Sequence, residues 1–172
     1  GPSLSLEQLA VVRRARERDR CRVIAVNRSY ERARWADVCY GADATWWRSA
    51  ANAPGFRGLK VCVQPVEFRD VLVLEHDAGE QEGLSFDPRR LNCGGNSGYQ
   101  AVNLAVLMGA SRIALLGYDM RFGPNGEKHW HADHRDRNPE EQRLAVWARA
   151  FETMDLDLKR AGVAVVNCTP GS

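Results

Sequence analysis

The chain of 172 residues has no apolar run near the roughly 20 residues that a membrane-spanning helix needs. No charged segment followed by an apolar one opens it, so the pattern of a secretory leader is missing as well. We therefore expect a cytoplasmic protein with no membrane partner. The composition, 44% hydrophobic and 27% charged, is typical of a globular chain, and the length suits one hydrophobic core, so we predict a single domain over residues 1–172.

Cysteine is present in an odd number and without pairing motifs. The five cysteines are scattered and form no CxxC pair, which argues against a disulfide framework and against a zinc site. Reduced thiols are typical of cytosolic proteins. We predict that several of these side chains are buried in strands; the five are Cys21, Cys39, Cys62, Cys93 and Cys168.

An excess of charge of one sign is also missing, since the formal net charge is only +2. A nucleic-acid partner is therefore not predicted. The segment 13–22 is a local exception, with six arginines and two acids. Its arginines either contact phosphate groups or form a solvated surface in which they pair with Glu17 and Asp19, and the second interpretation is favoured.

Short apolar strands alternate along the chain with helical segments, which predicts an α/β domain with a mainly parallel sheet. The segment 76–92 is polar and shows no period, so we expect a surface excursion there. The strand at 112–117 is of the buried kind. Strands are predicted at 22–26, 37–41, 60–64, 71–75, 112–117 and 163–167, and helices at 6–19, at 43–52, in the stretch that ends at Gly109, and at 138–160.

A glycine-rich turn precedes the helix that ends at Gly109. In α/β sheets, ligands bind at the loops that follow the carboxyl ends of strands, and a helix that begins in a loop offers unpaired backbone N–H groups to an anion. The turn lacks the lysine of a P-loop and the glycine spacing of a dinucleotide fingerprint. It is either a phosphate or carboxylate site or a plain turn with a polar cap; its residues are Gly94, Gly95, Asn96, Ser97 and Gly98.

The sequence HWHADH at 129–134 is the second candidate. Its imidazoles either supply a general base or acid near neutral pH or contact phosphate. Together with Asp133 they are alternatively ligands of a metal such as zinc or iron. A polar loop with incidental histidines is the third interpretation. The HxH spacing is not a zinc signature by itself, and acid–base or phosphate contact is favoured.

Three more polar residues follow strands directly. Asn27 and Asp43 are placed to hold a sugar hydroxyl or a base edge, or else to form a turn or to cap a helix. Asp119 either holds a metal or a hydroxyl or caps its turn.

The segments GPSL (1–4), AVNRSY (25–30), GADATWW (41–47), GNSGYQAVNLAVLMGASRIALLGYDM (95–120) and HWHADH occur in this order along the chain. Together they resemble the superfamily that joins bacterial sialyltransferases of glycosyltransferase family 42 with archaeal 6-hydroxymethylpterin diphosphokinase-like (domain-115) proteins. The resemblance spans nearly the whole chain and is nearest in style to phage and prophage proteins of that group. It implies a Rossmann-like, three-layer α/β fold.

The sialyltransferase side of the resemblance implies a site for the cytidine monophosphate of a donor. A histidine in the loop after the Gly-Asp strand acts there as base, without a metal, and here His131 and His134 compete for that role. The diphosphokinase branch uses ATP and Mg²⁺, for which Asp43 and Asp119 are the implied ligands. The nucleotide-binding residues carried over are Gly1, Pro2, Ser3, Asn27, Asn96, Ser97 and Gly98.

The family has an apolar strand before GPSL and continues past NCTPGS, so the resemblance implies a sheet without its first strand and a chain truncated at both ends. The implied activity is that of a nucleotide-dependent transferase, in first place a glycosyltransferase with a CMP-sugar-type donor, a histidine base and no required cofactor. A Mg²⁺-dependent ATP diphosphotransferase and a non-catalytic nucleotide-binding phage protein are the alternatives. The implied partner is a nucleotide or a nucleotide-sugar. Whether the chain forms a homo-oligomer is left undecided.

Overall fold

The computed structural model describes residues 1–76, 82–131 and 141–169. Within these ranges helices and strands alternate along the chain, as predicted. The helices are α1 (Leu6–Glu17), α2 (Ala44–Ser49), α3 (Ser97–Leu107), α4 (Glu141–Glu152) and α5 (Asp155–Arg160), with a 3-10 turn at Asn27–Glu31. The strands are β1 (Ile24–Val26), β2 (Val38–Tyr40), β3 (Leu59–Cys62), β4 (Val71–Val73), β5 (Glu75–His76), β6 (Arg90–Leu91), β7 (Arg112–Leu115) and β8 (Ala164–Asn167).

Every strand pair in the described ranges is parallel. Four strands form one sheet in the order β1-β2-β3-β4. Two further pairs, β5 with β6 and β7 with β8, form their own short ladders. Parallel pairing needs a crossover between the paired strands. Helix α2 lies in the crossover from β2 to β3, α4 and α5 lie in that from β7 to β8, and the 3-10 turn lies between β1 and β2. The α/β class and the parallel pairing predicted from the sequence are confirmed.

The four-stranded sheet carries helices on both faces, because successive side chains of a strand point to opposite sides. Cys39 and Cys62 point into a core with α1, α2 and the 3-10 turn. Val38, Tyr40 and Val61 point into a second core, which α3 covers. This part of the molecule is therefore a helix–sheet–helix sandwich.

Helix α3 also covers a third core, on the β7–β8 side. Tyr99 and Val102 pack there with Leu115 of β7 and with Met154. Tyr99 and Met154 are fully buried. One helix thus contacts both groups of strands, and its start lies where the two groups meet.

The segment 76–92, predicted as a surface excursion, is partly core among its described residues, so that prediction is wrong there. Leu84, before β6, and Leu91, in β6, are buried. The reason is a single amide on α3: Asn103 Oδ1 accepts hydrogen bonds from the backbone N–H groups of Ser85 at 3.0 Å and Asn92 at 3.1 Å. The Nδ2 group of Asn103 donates to the Ser85 carbonyl at 2.8 Å. The Asn103 side chain therefore bonds this backbone in the way that a neighbouring strand would. The periodicity of apolar residues in the sequence does not reveal such a contact.

The predicted last helix is two helices, since α4 ends before α5 begins. Met154, between them, is fully buried, and the Thr153 hydroxyl donates to the Ala150 carbonyl at 2.7 Å. Such side-chain bonds compete with the helical ladder. The predicted start at Asn138 lies outside the described residues.

Strand β7 differs from the buried strand that was predicted. One of its faces, with Arg112 and Ala114, is exposed, and the neighbouring Val166 of β8 is 60% exposed. Only the opposite face packs, through Ile113 and Leu115, into the core with α3.

The structure agrees with the predictions for the cysteines and for the arginine-rich segment. All five cysteines are free, and two are buried in strands, where burial raises the pKa of the Cys39 thiol to about 12. Within the arginine-rich segment, Arg13 pairs with Glu17 and Arg22 with Asp19, as the solvated interpretation expects. None of the helices in the described part of the chain has the length and apolarity to cross a membrane.

Replacing Asn103 with leucine tests whether this amide holds the segment between β5 and β6. We expect Asn103→Leu to lower the free energy of unfolding by about 2–4 kcal/mol, because two buried N–H groups lose their acceptor. Urea unfolding followed by circular dichroism measures the change. The control is Asn125→Leu, at an exposed asparagine. If the free energy of unfolding falls equally little in both variants, the Asn103 side chain of α3 does not hold this segment.

Candidate functional site

The glycine-rich turn before α3 bends over the ring of Tyr99. Gly94 and Gly95 have φ angles of +51° and +73°, which residues with side chains rarely adopt. A Cβ on Gly94 would lie 2.1 Å from the Tyr99 ring. The ring is fully buried, and its hydroxyl donates to the Gly83 carbonyl at 2.9 Å. The turn therefore packs directly on the ring of this buried tyrosine, which fixes its position.

At the start of α3, one backbone N–H group bonds to the capping side chain, and two others have no acceptor within the helix. Asn96 is the N-cap, and its Oδ1 accepts from the Tyr99 N–H at 2.8 Å. The N–H groups of Ser97 and Gly98 are the first of the helix and have no acceptor within it. Gly95 beside them is exposed. The turn is thus a polar cap and also an open pair of donors, at the end of the helix where its dipole favours an anion.

Residues 1–4 lie at the carboxyl end of β7. The Gly1 amine donates to the Gly117 carbonyl and lies 3.7 Å from Asp119 Oδ2. The Ser3 N–H donates to the same oxygen at 3.4 Å, with Pro2 between. A Cβ on Gly117 would lie 3.1 Å from that of Leu4, so the absence of a side chain there lets the segment pack closely.

Asp119 therefore holds residues 1–3 in place, and its carboxylate is only 6% exposed. One consequence concerns Ser3, whose Oγ is shielded from solvent and has no hydrogen-bond partner among the described residues. A buried hydroxyl without a partner is uncommon in folded proteins. The Ser3 hydroxyl lies in the segment that Asp119 holds, and Tyr118, the neighbour of Asp119, bonds to Gly98 at the start of α3.

Tyr118 connects the start of α3 with this segment. Its hydroxyl donates to the Gly98 carbonyl at 3.2 Å, and its neighbours in sequence are Gly117 and Asp119. Burial raises the pKa of Tyr118 far above its ordinary value, so the phenol stays neutral and acts as a hydrogen-bond donor. Each residue of the Gly-Tyr-Asp sequence after β7 thus makes a different contact with the site.

Asn27 follows β1 directly, as predicted. Its φ is +49°, a conformation that asparagine adopts more readily than most residues, and its side chain forms no hydrogen bond with the described residues. Met120, after β7, has a φ of +47°, which is rarer for such a residue. Backbone strain of this kind clusters at functional sites, and Met120 directly follows Asp119, which contacts Gly1 and Ser3.

The histidine-bearing loop contacts the same region through Trp130. The Arg32 guanidinium lies 3.9 Å from the centre of the Trp130 ring, and its Nη1 donates to the Leu4 carbonyl at 2.9 Å. His131 stacks on His129 with 4.9 Å between ring centres and an angle of 6° between the rings. The loop that carries His131 is therefore joined to residues 1–4 through one arginine.

Asp43 is apart from these contacts. It is the N-cap residue of α2, the position that the capping interpretation gives it, although its side chain makes no capping hydrogen bond, and its carboxylate is exposed. The structure does not bring it into contact with Asp119, whose Oδ2 already accepts from the Ser3 N–H. Among the described residues no three His, Cys, Asp or Glu side chains form a potential metal site. These two carboxylates therefore do not fit a preformed magnesium site. His134 and Asp133 lie outside the described residues.

Three residues of this region were not among the predicted site residues: Arg32, Tyr118 and Trp130. Arg32 carries no sequence signal, because it lies among many arginines and its two contacts come from distant segments. Tyr118 and Trp130 lie inside the two motifs that were noticed. Their roles depend on which neighbours face them, which only the tertiary structure shows.

Comparison with known protein families, with curated proteins and with solved structures finds no match.

Replacing Arg32 with alanine tests the connection between residues 1–4 and the histidine loop. We expect the ring resonances of His129 and His131 to shift in NMR spectra of Arg32→Ala, because the loop loses its cation–π contact, worth about 1 kcal/mol. Arg34→Ala is the matched control: Arg34 also donates to a carbonyl, that of Pro54, but on the exposed surface. Equal histidine spectra in the two variants would show that Arg32 does not hold the loop.

Proposed function

We propose that the protein binds a nucleotide through its phosphate at the start of α3 and transfers the group that this phosphate carries. One observation carries the proposal. The open N–H groups of Ser97 and Gly98 and the unpartnered Ser3 hydroxyl belong to one connected set of contacts, which runs through Tyr118 and Asp119. These donors lie at the carboxyl ends of parallel strands, where α/β proteins bind ligands.

The chemistry of these groups suits a phosphate. Backbone N–H groups at a helix start stabilise anions together with the helix dipole, and a phosphate oxygen accepts from a hydroxyl such as that of Ser3. Asn27, at the end of β1, supplies an amide for the sugar or the base. Since the donors are fixed before the ligand arrives, they also stabilise the negative charge that grows on a departing phosphate.

The resemblance to sialyltransferases supports a CMP-sugar-type donor and a histidine base. In that reaction His131 or His134 takes the proton of an acceptor hydroxyl, whose oxygen forms a bond to the sugar carbon. The bond from that carbon to the phosphate oxygen breaks, and the nucleotide leaves with the electron pair. A cytoplasmic location, where nucleotide-sugars are available, is part of this proposal.

Ser97→Pro tests the phosphate site directly. Proline is favoured at the first position of a helix, and Asn96, with φ −153° and ψ 154°, has the conformation that a following proline requires. The variant removes the Ser97 N–H and hydroxyl without breaking the helix. We expect its affinity for the nucleotide to fall about tenfold or more, since a charge-assisted hydrogen bond contributes roughly 1.5–3 kcal/mol, while Ser97→Ala, which keeps the N–H, loses less.

Thermal shift with CMP, CDP, UDP, GDP and ATP, each with and without Mg²⁺, measures these affinities. Stabilisation by CMP without metal agrees with the glycosyltransferase. Stabilisation by ATP only with Mg²⁺ would replace it with the diphosphotransferase. If no nucleotide stabilises the wild type, or if Ser97→Pro binds as tightly as the wild type, the phosphate site is refuted.

The histidine variants test the transferase step. With the donor that binds, we expect His131→Ala or His134→Ala to slow donor hydrolysis by about 10²–10⁴-fold, the usual contribution of a general base, with nucleotide binding unchanged. His76→Ala is the control, because His76 lies on β5. If a nucleotide binds and neither variant changes hydrolysis, the histidine base is refuted and a non-catalytic nucleotide-binding protein remains.

A further inference from the structure

A cavity of about 390 Å³ lies between α3, the β7–β8 pair and the helices α4 and α5. Its wall is mainly apolar and includes Val102, Leu115, Phe151, Leu158 and Val165. The space opens to the surface beside Ala148, which is exposed. Its volume and its mainly apolar wall with a few polar groups are those of small-molecule binding sites.

The cavity adjoins the nucleotide site proposed above. Tyr118, Asp119 and Met120, which follow β7, line it. The Tyr118 ring meets the Phe151 ring edge to face, with 5.8 Å between centres, and the Tyr118 hydroxyl bonds to Gly98 at the start of α3. One aromatic side chain thus touches both the anion-binding start of α3 and the wall of the cavity.

Two carboxylates on the wall of the cavity accept hydrogen bonds. The Asn167 amide also lines it, and it already donates to the Tyr118 carbonyl at 3.4 Å and accepts from the Thr169 N–H at 3.1 Å. The contacts of Asp119 with residues 1–3 use Oδ2, which leaves Oδ1 for a ligand. Asp155 is a second carboxylate on the wall, and it pairs with Lys159 outside. Neither lysine nor arginine occurs among the described residues that line the cavity.

We infer that this cavity binds a flat, ring-sized apolar group that carries a hydrogen-bond donor. The size agrees, because an apolar cavity of roughly 150 Å³ already holds benzene, and small-molecule sites of about 300–1,000 Å³ combine apolar walls with a few polar groups. The role of that group, as the ring of the acceptor that receives the transferred unit, rests on the proposed function. The binding itself does not.

Indole is the test compound, because it is a flat bicycle with one N–H donor, and benzofuran is its counterpart without the donor. The protein has three methionines. Met120 and Met154 line the cavity, whereas Met108 lies at the end of α3 and is 51% exposed. With ¹³C-methyl methionine, indole should shift the Met120 and Met154 signals in a saturable way and leave Met108 in place, and benzofuran should bind more weakly.

A matched pair of variants on α4 locates the binding. Ala148 lines the cavity and its residue is exposed, so Ala148→Phe fills the space from the outside. Val146→Phe adds a ring to the opposite side of the same helix, since Val146 is 63% exposed and is not among the described residues that line the cavity. We expect Ala148→Phe to raise the dissociation constant of indole about tenfold or more, with no change in Val146→Phe.

The inference is overturned if indole shifts all three methionines alike, or if both variants bind it as the wild type does. Should Ala148→Phe not fold, the methionine pattern of the wild type decides alone. CMP added to the same samples separates the two proposals: indole binding without nucleotide binding keeps the cavity and removes the transferase, and the reverse result removes the cavity.

Discussion

The packing of α3 against two separate groups of strands is the constraint on which the rest of the structure depends. Within the described ranges β1 pairs with β2 and β7 with β8, and no ladder joins β1 to β7. Ala101 and Leu104 of α3 pack on the four-stranded sheet, and Tyr99 and Val102 pack on the other side. The helix start is consequently fixed from two directions. Donors held in this way are preorganised, as a binding site requires.

The remainder of the site is held by individual polar contacts rather than by a core. Asp119 holds residues 1–3, and Arg32 joins Leu4 to Trp130. Each of these contacts is one side chain reaching a distant segment. The site thus combines a rigid wall, the start of α3, with a wall of loops whose arrangement depends on a few charged groups.

The elements of the fold were predictable because they follow local rules. β-branched apolar runs gave the strands, and the capping pattern of Ser5 with Gln8 gave the start of α1, where both capping hydrogen bonds are present. Gly109, with a φ of +85°, ends α3 as expected. The predictions were wrong where a contact with a residue distant in sequence determines the structure. Asn103 is the example, because its hydrogen bonds hold a polar segment in the core.

Some components of the candidate site have local signals in the sequence. Polar residues after strands and a glycine-rich turn before a helix are such signals, and the structure connects residues 1–3, Asp119 and the start of α3 through Tyr118. Asp43 shares the local pattern but stands apart, because α2 carries it to the surface. Arg32 has no local signal at all, since its role exists only when Leu4 and Trp130 are beside it.

The place of α3 in the chain has a consequence for synthesis on the ribosome. Val38, Tyr40 and Val61 emerge well before Ala101 and Leu104, the residues that cover them. Until then, that face of the nascent sheet stays in water and is open to wrong partners. A chaperone that protects apolar strands would act in this interval, between the translation of β3 and that of α3.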